Sequence, residues 1–324
     1  MNGKQDSAAA APAPGFGAEF LQCWERLPNK GLFLSLFAAW LLLFHFLGNC
    51  TFGYIDTASL LHWMYNAYES GDKSDEHGLF IPALVLVLFW WKRKQLLALP
   101  NRVWSPALLL LAFALVLHSV GYLVQQQRVS IVALFVGVYA LMGLAWGPAW
   151  LRASFFPFFL VAFCVPIATI GEPITFPLRI LVCKIVAAIS PILGIDVVRS
   201  GTALSNASGS YQYEVAAACS GLRSVVAILC LSTVYGFINF EKNWKRMLMI
   251  AAAFPLAVVG NVIRMMFIIV AAEISGQSAG NYVHEHWFFS LVPYVPAIAG
   301  VMALGYWLRD RPLVPGLPLN PKPV

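Results

Sequence analysis

The sequence predicts an all-α polytopic membrane protein with about eight transmembrane helices. Of its 324 residues, 60% are hydrophobic and only 11% are charged, whereas about a quarter of the residues in a soluble protein are charged. The mean hydropathy is +0.73. Apolar runs of roughly 20 residues with few charges recur along the chain, and such runs are typical of helices that cross a bilayer. These observations together indicate one membrane domain.

Nine apolar segments follow one another along the chain. The second segment is short at its polar start. It extends either back toward Asp75 or forward through Trp90 and Trp91, an aromatic pair expected at the membrane interface. The segments cover residues 31–48, 79–91, 106–124, 129–147, 153–170, 175–195, 216–240, 247–272 and 287–308.

The flanking regions are polar. Residues 1–30 begin with an Ala/Pro-rich stretch and lack the apolar core of a cleavable signal, so we expect a disordered cytoplasmic N-terminus there. Residues 31–308 form the membrane domain. Residues 309–324 are expected to be a short cytoplasmic tail.

Basic residues beside the apolar segments set the orientation, because positively charged loops are retained in the cytoplasm. The cytoplasmic set comprises Arg26, Lys30, Lys92, Arg93, Lys94, Arg152, Lys242, Lys245, Arg246, Arg309 and Arg311. The acidic stretch from Asp56 to Glu76 then lies outside. These flanks account for the net charge of +6, which therefore does not argue for nucleic-acid binding.

Segment 175–195 does not fit as a span in this arrangement. With Arg152 inside, the fifth segment ends outside, and the basic loop before the eighth segment makes the seventh begin outside. Segment 175–195 also carries Arg179 and Lys184, and charges in lipid are costly. We therefore expect an interfacial or re-entrant helix on the outer face, eight spans and two cytoplasmic termini. The alternative is nine spans with one loop that departs from the charge rule.

Residues 196–215 are the one clearly extended stretch of the sequence. Two short alternations of polar and apolar residues flank Asn206-Ala-Ser-Gly209, a group with turn chemistry. We therefore expect a small extracytoplasmic hairpin that leads directly into Cys219.

Cys219 stands at the mouth of the seventh apolar segment, where it meets water without leaving the membrane. Arg223 follows four residues later on the same helical face. A nearby cation and a helix N-terminus both favour the thiolate, which is the attacking species in covalent thiol catalysis. Gly221 leaves room for a substrate backbone. The alternative is a packing cysteine, because a free thiol in an apolar run behaves as a small hydrophobe.

Arg264 lies inside the eighth segment, toward its outer end. An ionisable residue within a membrane must face protein or a wet cavity and is a candidate for function. Arg264 would stabilise a carbonyl oxyanion or bind a substrate carboxylate. Asn261, three residues earlier on the same helical face, would hold the guanidinium. The alternative is a side chain that extends to the outer head groups.

His284 and His286 lie in the linker before the last segment, which this topology places outside. A histidine there can serve as general base and acid near neutral pH. The spacing alone does not separate the two, and an interfacial belt without chemistry is the alternative. The His-Glu-His spacing differs from that of a zinc protease helix, and the six cysteines show no metal spacing. We therefore expect no metal and no cofactor.

Three motifs, in this order, resemble those of the exosortase/archaeosortase family of membrane cysteine proteases and transpeptidases. Residues 218–224, Ala-Cys-Ser-Gly-Leu-Arg-Ser, resemble the family's cysteine motif. Asn261 and Arg264 match its Asn-x-x-Arg element. His284, followed by the acidic Glu285, resembles its His-Asp/Glu element.

The resemblance extends from about residue 30 to residue 308. It includes the residues His77, Gly78, Pro82, Trp90, Trp91, Lys92, Arg93, Pro166, Phe176, Pro177 and Leu178. One departure is Phe288, because the family usually has glycine four residues after the histidine. The choice between His284 and His286 therefore stays open, and His284 ranks first because of its acidic neighbour.

The resemblance implies an enzyme that processes surface proteins with a C-terminal sorting signal: a Pro-Glu-Pro-like motif, a membrane helix and a basic tail. It implies the cytoplasmic (inner) membrane of a bacterium or archaeon, with the active site facing outside. The thioester on the cysteine would pass to a lipid or sugar-bearing acceptor, or to water. The implied catalytic residues are Cys219, Arg264 and His284, with supporting roles for Arg223, Asn261, Gly221, Ser220 and His286.

Two other classes of function compete with this one. A non-enzymatic transporter or scaffold for envelope polysaccharide assembly would explain the hydrophobicity and Arg264 equally well, but it would not need Cys219. An intramembrane protease of serine or metal type is disfavoured, because the sequence has neither a G-x-S-x-G nor an H-E-x-x-H motif.

Overall fold

The computed structural model describes residues 15–50, 57–69, 75–167, 171–214, 221–291 and 294–309. Most of these residues are helical. The helices, in chain order, are α1 (Phe16–Arg26), α2 (Lys30–Phe46), α3 (Leu60–Tyr68), α4 (Ile81–Trp91), α5 (Arg93–Leu97), α6 (Ala107–Leu123), α7 (Gln127–Trp146), α8 (Pro148–Phe159), α9 (Glu172–Ile189), α10 (Gly221–Asn239), α11 (Asn243–Ser275), α12 (Gln277–Glu285), α13 (Trp287–Ser290) and α14 (Tyr294–Trp307). The strands are β1 (Val197–Ser200), β2 (Ala203–Asn206) and β3 (Gln212–Glu214).

Each of the nine predicted apolar segments contains a helix, so the helical membrane architecture is confirmed. In the described part of the chain, three helical stretches are long and apolar enough to cross a membrane alone: α7, Thr175–Leu193 and α11. Other apolar helices are shorter. α1 and α2 are long and apolar enough to cross only when taken together, as a pair bent by 91°. The count of eight spans therefore stays a prediction. The interfacial placement of segment 175–195 also stays a prediction, since Thr175–Leu193 is long enough to cross a membrane.

The chain forms two compact units. The first comprises Met1–Trp63 and Pro82–Ala162, and the second comprises Met64–Ile81 and Phe163–Val324. All the candidate site residues that the structure describes belong to the second unit.

In the first unit, residues 16–26 correct the expectation that residues 1–30 are disordered. They form α1, whose Phe16 and Phe20 lie one turn apart and pack beside Trp90, with ring centroids 5.1 and 6.0 Å away. Glu19 of α1 pairs with Arg93 at 2.6 Å. An amphipathic helix of this length is too short to register among runs of about 20 apolar residues, so hydropathy did not reveal it.

The core of the first unit packs aromatic rings against small residues of α7. Trp40 is buried and its indole Nε1 donates a hydrogen bond to the Leu134 carbonyl at 3.0 Å. Gly137 lies one turn further along α7, directly beneath the ring. A Cβ at this position would stand 2.0 Å from Trp40. Glycine is therefore needed here for the close approach of α2 to α7.

In the second unit, α11 is the central element, with α9, α10, α12 and α14 packed around it. Val182, Cys183 and Val186 of α9 are buried against a cluster that includes Ile268 and Ile269 of α11. At the other end of α11, the buried Lys245 donates from Nζ to the carbonyl of Leu308, just after α14, at 2.6 Å.

A three-stranded antiparallel sheet in the order β1-β2-β3 covers one end of the second unit. The predicted hairpin is confirmed between β2 and β3, where Ala203 pairs with Glu214. Gly209 in the turn has φ 70°, and the Asn206 side chain accepts a hydrogen bond from the backbone of Ser210 at 2.8 Å. The sequence analysis missed β1 as a third strand. Leu204 and Tyr211 bury the inner face of the sheet against the helices.

The close approach at Gly137 makes a prediction about stability. Gly137→Ala places a Cβ in the volume of the Trp40 ring, and overpacking of this kind costs about 1–3 kcal/mol. We expect a lower melting temperature for the full-length variant in detergent, measured by intrinsic tryptophan fluorescence.

Gly31→Ala is the matched control, because a Cβ on Gly31 in α2 meets nothing within 4 Å. Alanine is the better helix former, so this variant should melt at the wild-type temperature or slightly above it. Equal melting temperatures for the two variants would contradict the packing of Trp40 on Gly137.

Candidate active site

The predicted nucleophile Cys219 and its neighbour Ser220 lie outside the described residues. The chain is described up to Glu214, the last residue of β3, and again from Gly221, the first residue of α10. The geometry of the site is therefore given by the elements on either side of residues 215–220.

The strand that leads into the cysteine segment is docked on α12, the helix that carries His284. The hydroxyl of Tyr213 in β3 donates to the Gln277 carbonyl in the first turn of α12, at 2.9 Å. Gly280 makes this contact possible, since a Cβ there would lie 2.1 Å from the Tyr213 oxygen. Burial raises the pKa of Tyr213, so its hydroxyl remains a donor at neutral pH.

The structure brings together two of the predicted site residues, Arg264 and His284. Nη2 of Arg264 in α11 donates to the backbone carbonyl of His284 at 3.2 Å. This carbonyl lies in the last turn of α12, where carbonyl groups lack partners within the helix and carry partial negative charge. Nε of Arg264 is buried, with no hydrogen-bond partner among the described residues. The guanidinium thus stabilises the end of α12 and keeps further donor capacity.

The environment of His284 favours its neutral form. Burial lowers its pKa below the ordinary value of 6.5, and the positive charge of Arg264 lowers it further, while the Glu285 carboxylate opposes both effects. A neutral imidazole can accept a proton at neutral pH, which is the requirement for a general base.

His286 has a different role in the structure. Its Nδ1 accepts a hydrogen bond from the backbone N–H of Phe288 at 3.3 Å, so it caps the N-terminus of α13. Its ring lies 4.9 Å from that of Tyr282 and 6.0 Å from that of Phe289. These contacts favour His284 over His286 as the histidine of the site.

The sequence suggested that Asn261 holds the Arg264 guanidinium, but the structure shows a different partner. The amide Nδ2 of Asn261 donates to the hydroxyl of Ser224 at 2.9 Å, and that hydroxyl lies 3.3 Å from the Asn261 Oδ1. Ser224 is buried in the first turns of α10. The pair therefore fixes the start of α10, which directly follows the cysteine segment, to α11 one turn before Arg264.

Arg223 forms an ion pair with Glu76, a residue that the sequence analysis did not single out. Glu76 begins the 3-10 turn Glu76–Leu79. This turn is fixed in place by its neighbour Asp75, whose buried carboxylate accepts a hydrogen bond from the Ile167 backbone N–H at 2.9 Å. Only the position of Glu76 beside the His77-Gly78 pair could have drawn attention to it.

Tyr294, the first residue of α14, is the second site residue missed by the sequence analysis. It is half-buried, and its hydroxyl lies close enough to Arg223, Arg264 and Glu76 to feel their charges. Its ring packs on the apolar cluster between α10 and α11. Tyr294 therefore packs between α10 and α11, the two helices that carry Arg223 and Arg264.

The described residues provide no group of three or more His, Cys, Asp or Glu side chains placed to hold a metal ion. The groups assembled here are two guanidinium ions, an imidazole, a carboxylate and a phenol. Such a set can bind an anion, stabilise a developing negative charge and transfer a proton.

Removal of each of the two charged neighbours of His284 should shift its pKa, in opposite directions. Glu285→Gln removes a negative charge that favours the imidazolium, so the pKa of His284 should fall. Arg264→Gln removes a positive charge that disfavours it, so the pKa should rise. A histidine NMR titration of the full chain in nanodiscs, with the signal assigned by His284→Gln, measures both. Shifts of the same sign in the two variants would contradict the arrangement.

The comparisons with known proteins place this chain in a family. The family model described as transmembrane exosortase matches residues 68–316, which is more than two thirds of the chain and includes every candidate site residue. No curated protein and no solved structure gives a significant match. The extent of this match shows that the chain belongs to the transmembrane exosortase family.

Proposed function

We propose that this protein is a cysteine-dependent membrane protease or transpeptidase that processes C-terminal sorting signals of surface proteins. Membership of the exosortase family indicates a membrane transpeptidase that acts on sorting signals. The observation that best supports the cysteine-dependent mechanism is the contact between Arg264 and the His284 carbonyl at 3.2 Å. It joins a cation of α11 and a proton acceptor of α12, and these two helices contact the elements on either side of residues 215–220.

The substrate is a membrane-anchored protein whose signal comprises a Pro-Glu-Pro-type motif, a membrane helix and a basic tail. The substrate helix enters laterally from the bilayer and delivers the scissile bond to the outer membrane–water boundary. Confinement in the membrane raises the effective concentration of the bond at the site. Basic residues beside the cytoplasmic ends of the apolar segments support this orientation.

The first half of the reaction forms a thioester. The thiolate of Cys219 attacks the carbonyl carbon of the peptide bond next to the motif, and the carbonyl oxygen becomes an oxyanion that the Arg264 guanidinium stabilises. His284 takes the thiol proton and then gives it to the leaving amine as the carbon–nitrogen bond breaks. The acyl group remains on the Cys219 sulfur.

The second half releases the acyl group. An acceptor hydroxyl or amine, supplied by a lipid, a sugar-bearing group or water, attacks the thioester carbonyl and loses its proton to His284. The carbon–sulfur bond breaks, and the thiolate recovers the proton from the imidazolium. Water as the acceptor gives hydrolysis, and the other acceptors give transfer.

The supporting residues act through position. Asn261 holds the start of α10 through Ser224, His286 caps α13, and Gly221 and Ser220 flank Cys219 in the sequence. Arg223 supplies positive charge near Cys219. None of these groups needs to touch the scissile bond, so their replacement should reduce the rate less than loss of a catalytic residue.

The test is to co-express the full chain with a membrane protein that bears a Pro-Glu-Pro-type tail and to follow its cleavage. Cys219→Ala should abolish cleavage. Arg264→Ala should lower the rate by about 10²–10³-fold, the cost of removing an oxyanion donor. His284→Ala should lower it by about 10²–10⁴-fold, the usual contribution of general acid–base catalysis. Wild type should also accumulate a thiol-sensitive acyl adduct.

His286→Ala is the matched control, and it should lower the rate by less than about tenfold, because loss of a helix cap costs about 1 kcal/mol. Equal losses at His284 and His286 would contradict the assignment of the histidine. Cleavage that persists in Cys219→Ala would remove the nucleophile and favour the transporter or scaffold for envelope polysaccharide assembly.

A further inference from the structure

We propose that Arg223 is the subsite for a carboxylate side chain of the substrate, and that Glu76 occupies this subsite until the substrate displaces it. The proposal rests on the proposed function and deepens it, since it assigns the recognition of an acidic residue to one named cation. It makes Glu76 a specificity-determining residue that acts by competition.

The geometry of the pair shows what Arg223 can bind. The guanidinium of Arg223 contacts Oε2 of Glu76, a residue 147 positions away in sequence. A guanidinium presents its donors in a planar fork that fits the two oxygens of a carboxylate. The site therefore already holds the functional group that we assign to the substrate.

The pair is accessible and can exchange. The side chain of Arg223 is 51% exposed and that of Glu76 is 31% exposed. Exposed ion pairs contribute little net stability, because water solvates both partners when they separate. Since Asp75 fixes the backbone of the turn through Ile167, only the Glu76 side chain has to move for a second carboxylate to enter.

The two arginines have different partners and therefore different proposed roles. Arg264 contacts the carbonyl of His284, beside the proton-transfer group, whereas Arg223 contacts a carboxylate. Ser224, the residue after Arg223, bonds Asn261 one turn before Arg264 on α11, so the carboxylate subsite adjoins the reacting groups. An acidic residue of the signal bound at Arg223 would hold the neighbouring peptide bond near Cys219.

The test measures binding separately from catalysis. The full-length Cys219→Ala protein in nanodiscs is titrated with two fluorescent signal peptides that differ only in a Glu or a Gln at the acidic position. In Glu76→Gln the competitor is lost, so the Glu peptide should bind about two- to fivefold more tightly, the range expected for an exposed ion pair. The affinity for the Gln peptide should stay unchanged.

Two further variants complete the experiment. Arg223→Gln should abolish the difference in affinity between the two peptides. Glu69→Gln is the matched control, because it removes the same charge from an exposed carboxylate that accepts a hydrogen bond from Tyr65 at 2.6 Å rather than pairing with an arginine. It should leave both affinities unchanged. Melting temperatures of all variants establish that they are folded.

The proposal is overturned if Glu76→Gln changes the affinity for both peptides equally, if it weakens the Glu peptide, or if neither peptide binds. The chemistry is tested apart from this, by cleavage with Cys219 restored. Discrimination between the peptides without cleavage would support the carboxylate subsite and contradict the protease function. Cleavage without discrimination would support the protease function and contradict the subsite.

Discussion

The fold of the second unit depends on how α11 satisfies two positive charges that are buried or half-buried in the protein. Lys245 near its start donates to the carbonyl of Leu308, just beyond α14, and Arg264 donates to the carbonyl of His284 in the last turn of α12. In each case a cation meets carbonyl groups at the end of a neighbouring helix, where unpaired oxygens carry partial negative charge. The helices around α11 are therefore placed by the cost of burying charge as well as by apolar packing. The second of these contacts brings together Arg264 and His284, two of the candidate site residues.

Features that arise from local interactions could be predicted from the sequence. Hydropathy located the helices within the nine segments, and turn chemistry around Asn206 and Gly209 located a hairpin, because both signals are local. The sequence also singled out Arg264, as an ionisable residue inside an apolar run, and His284, through its acidic neighbour, and the structure brings the two into contact. Helix α1 was missed because eleven amphipathic residues do not resemble a span, and its stability comes from Trp90 and Arg93.

Other features depend on partners that are distant in sequence, and these could not be predicted. Glu76 meets Arg223 across 147 positions, and Tyr294 approaches the arginines only because α14 packs against α10 and α11. Asn261 was placed on the correct helical face, yet it bonds Ser224 of a neighbouring helix rather than Arg264. A helical face specifies a direction, and the neighbouring element decides which partner is met there.

The contact of Tyr213 with Gln277, which Gly280 permits, has a consequence for the entropy of the reaction. Under the proposed function, this strand leads to the nucleophile segment and this helix carries the base, and without the contact each turnover would have to bring the two together again. Here they are joined before the substrate arrives, so this ordering occurs once, during folding. The binding energy of the substrate is then available to orient the scissile bond instead of assembling the enzyme.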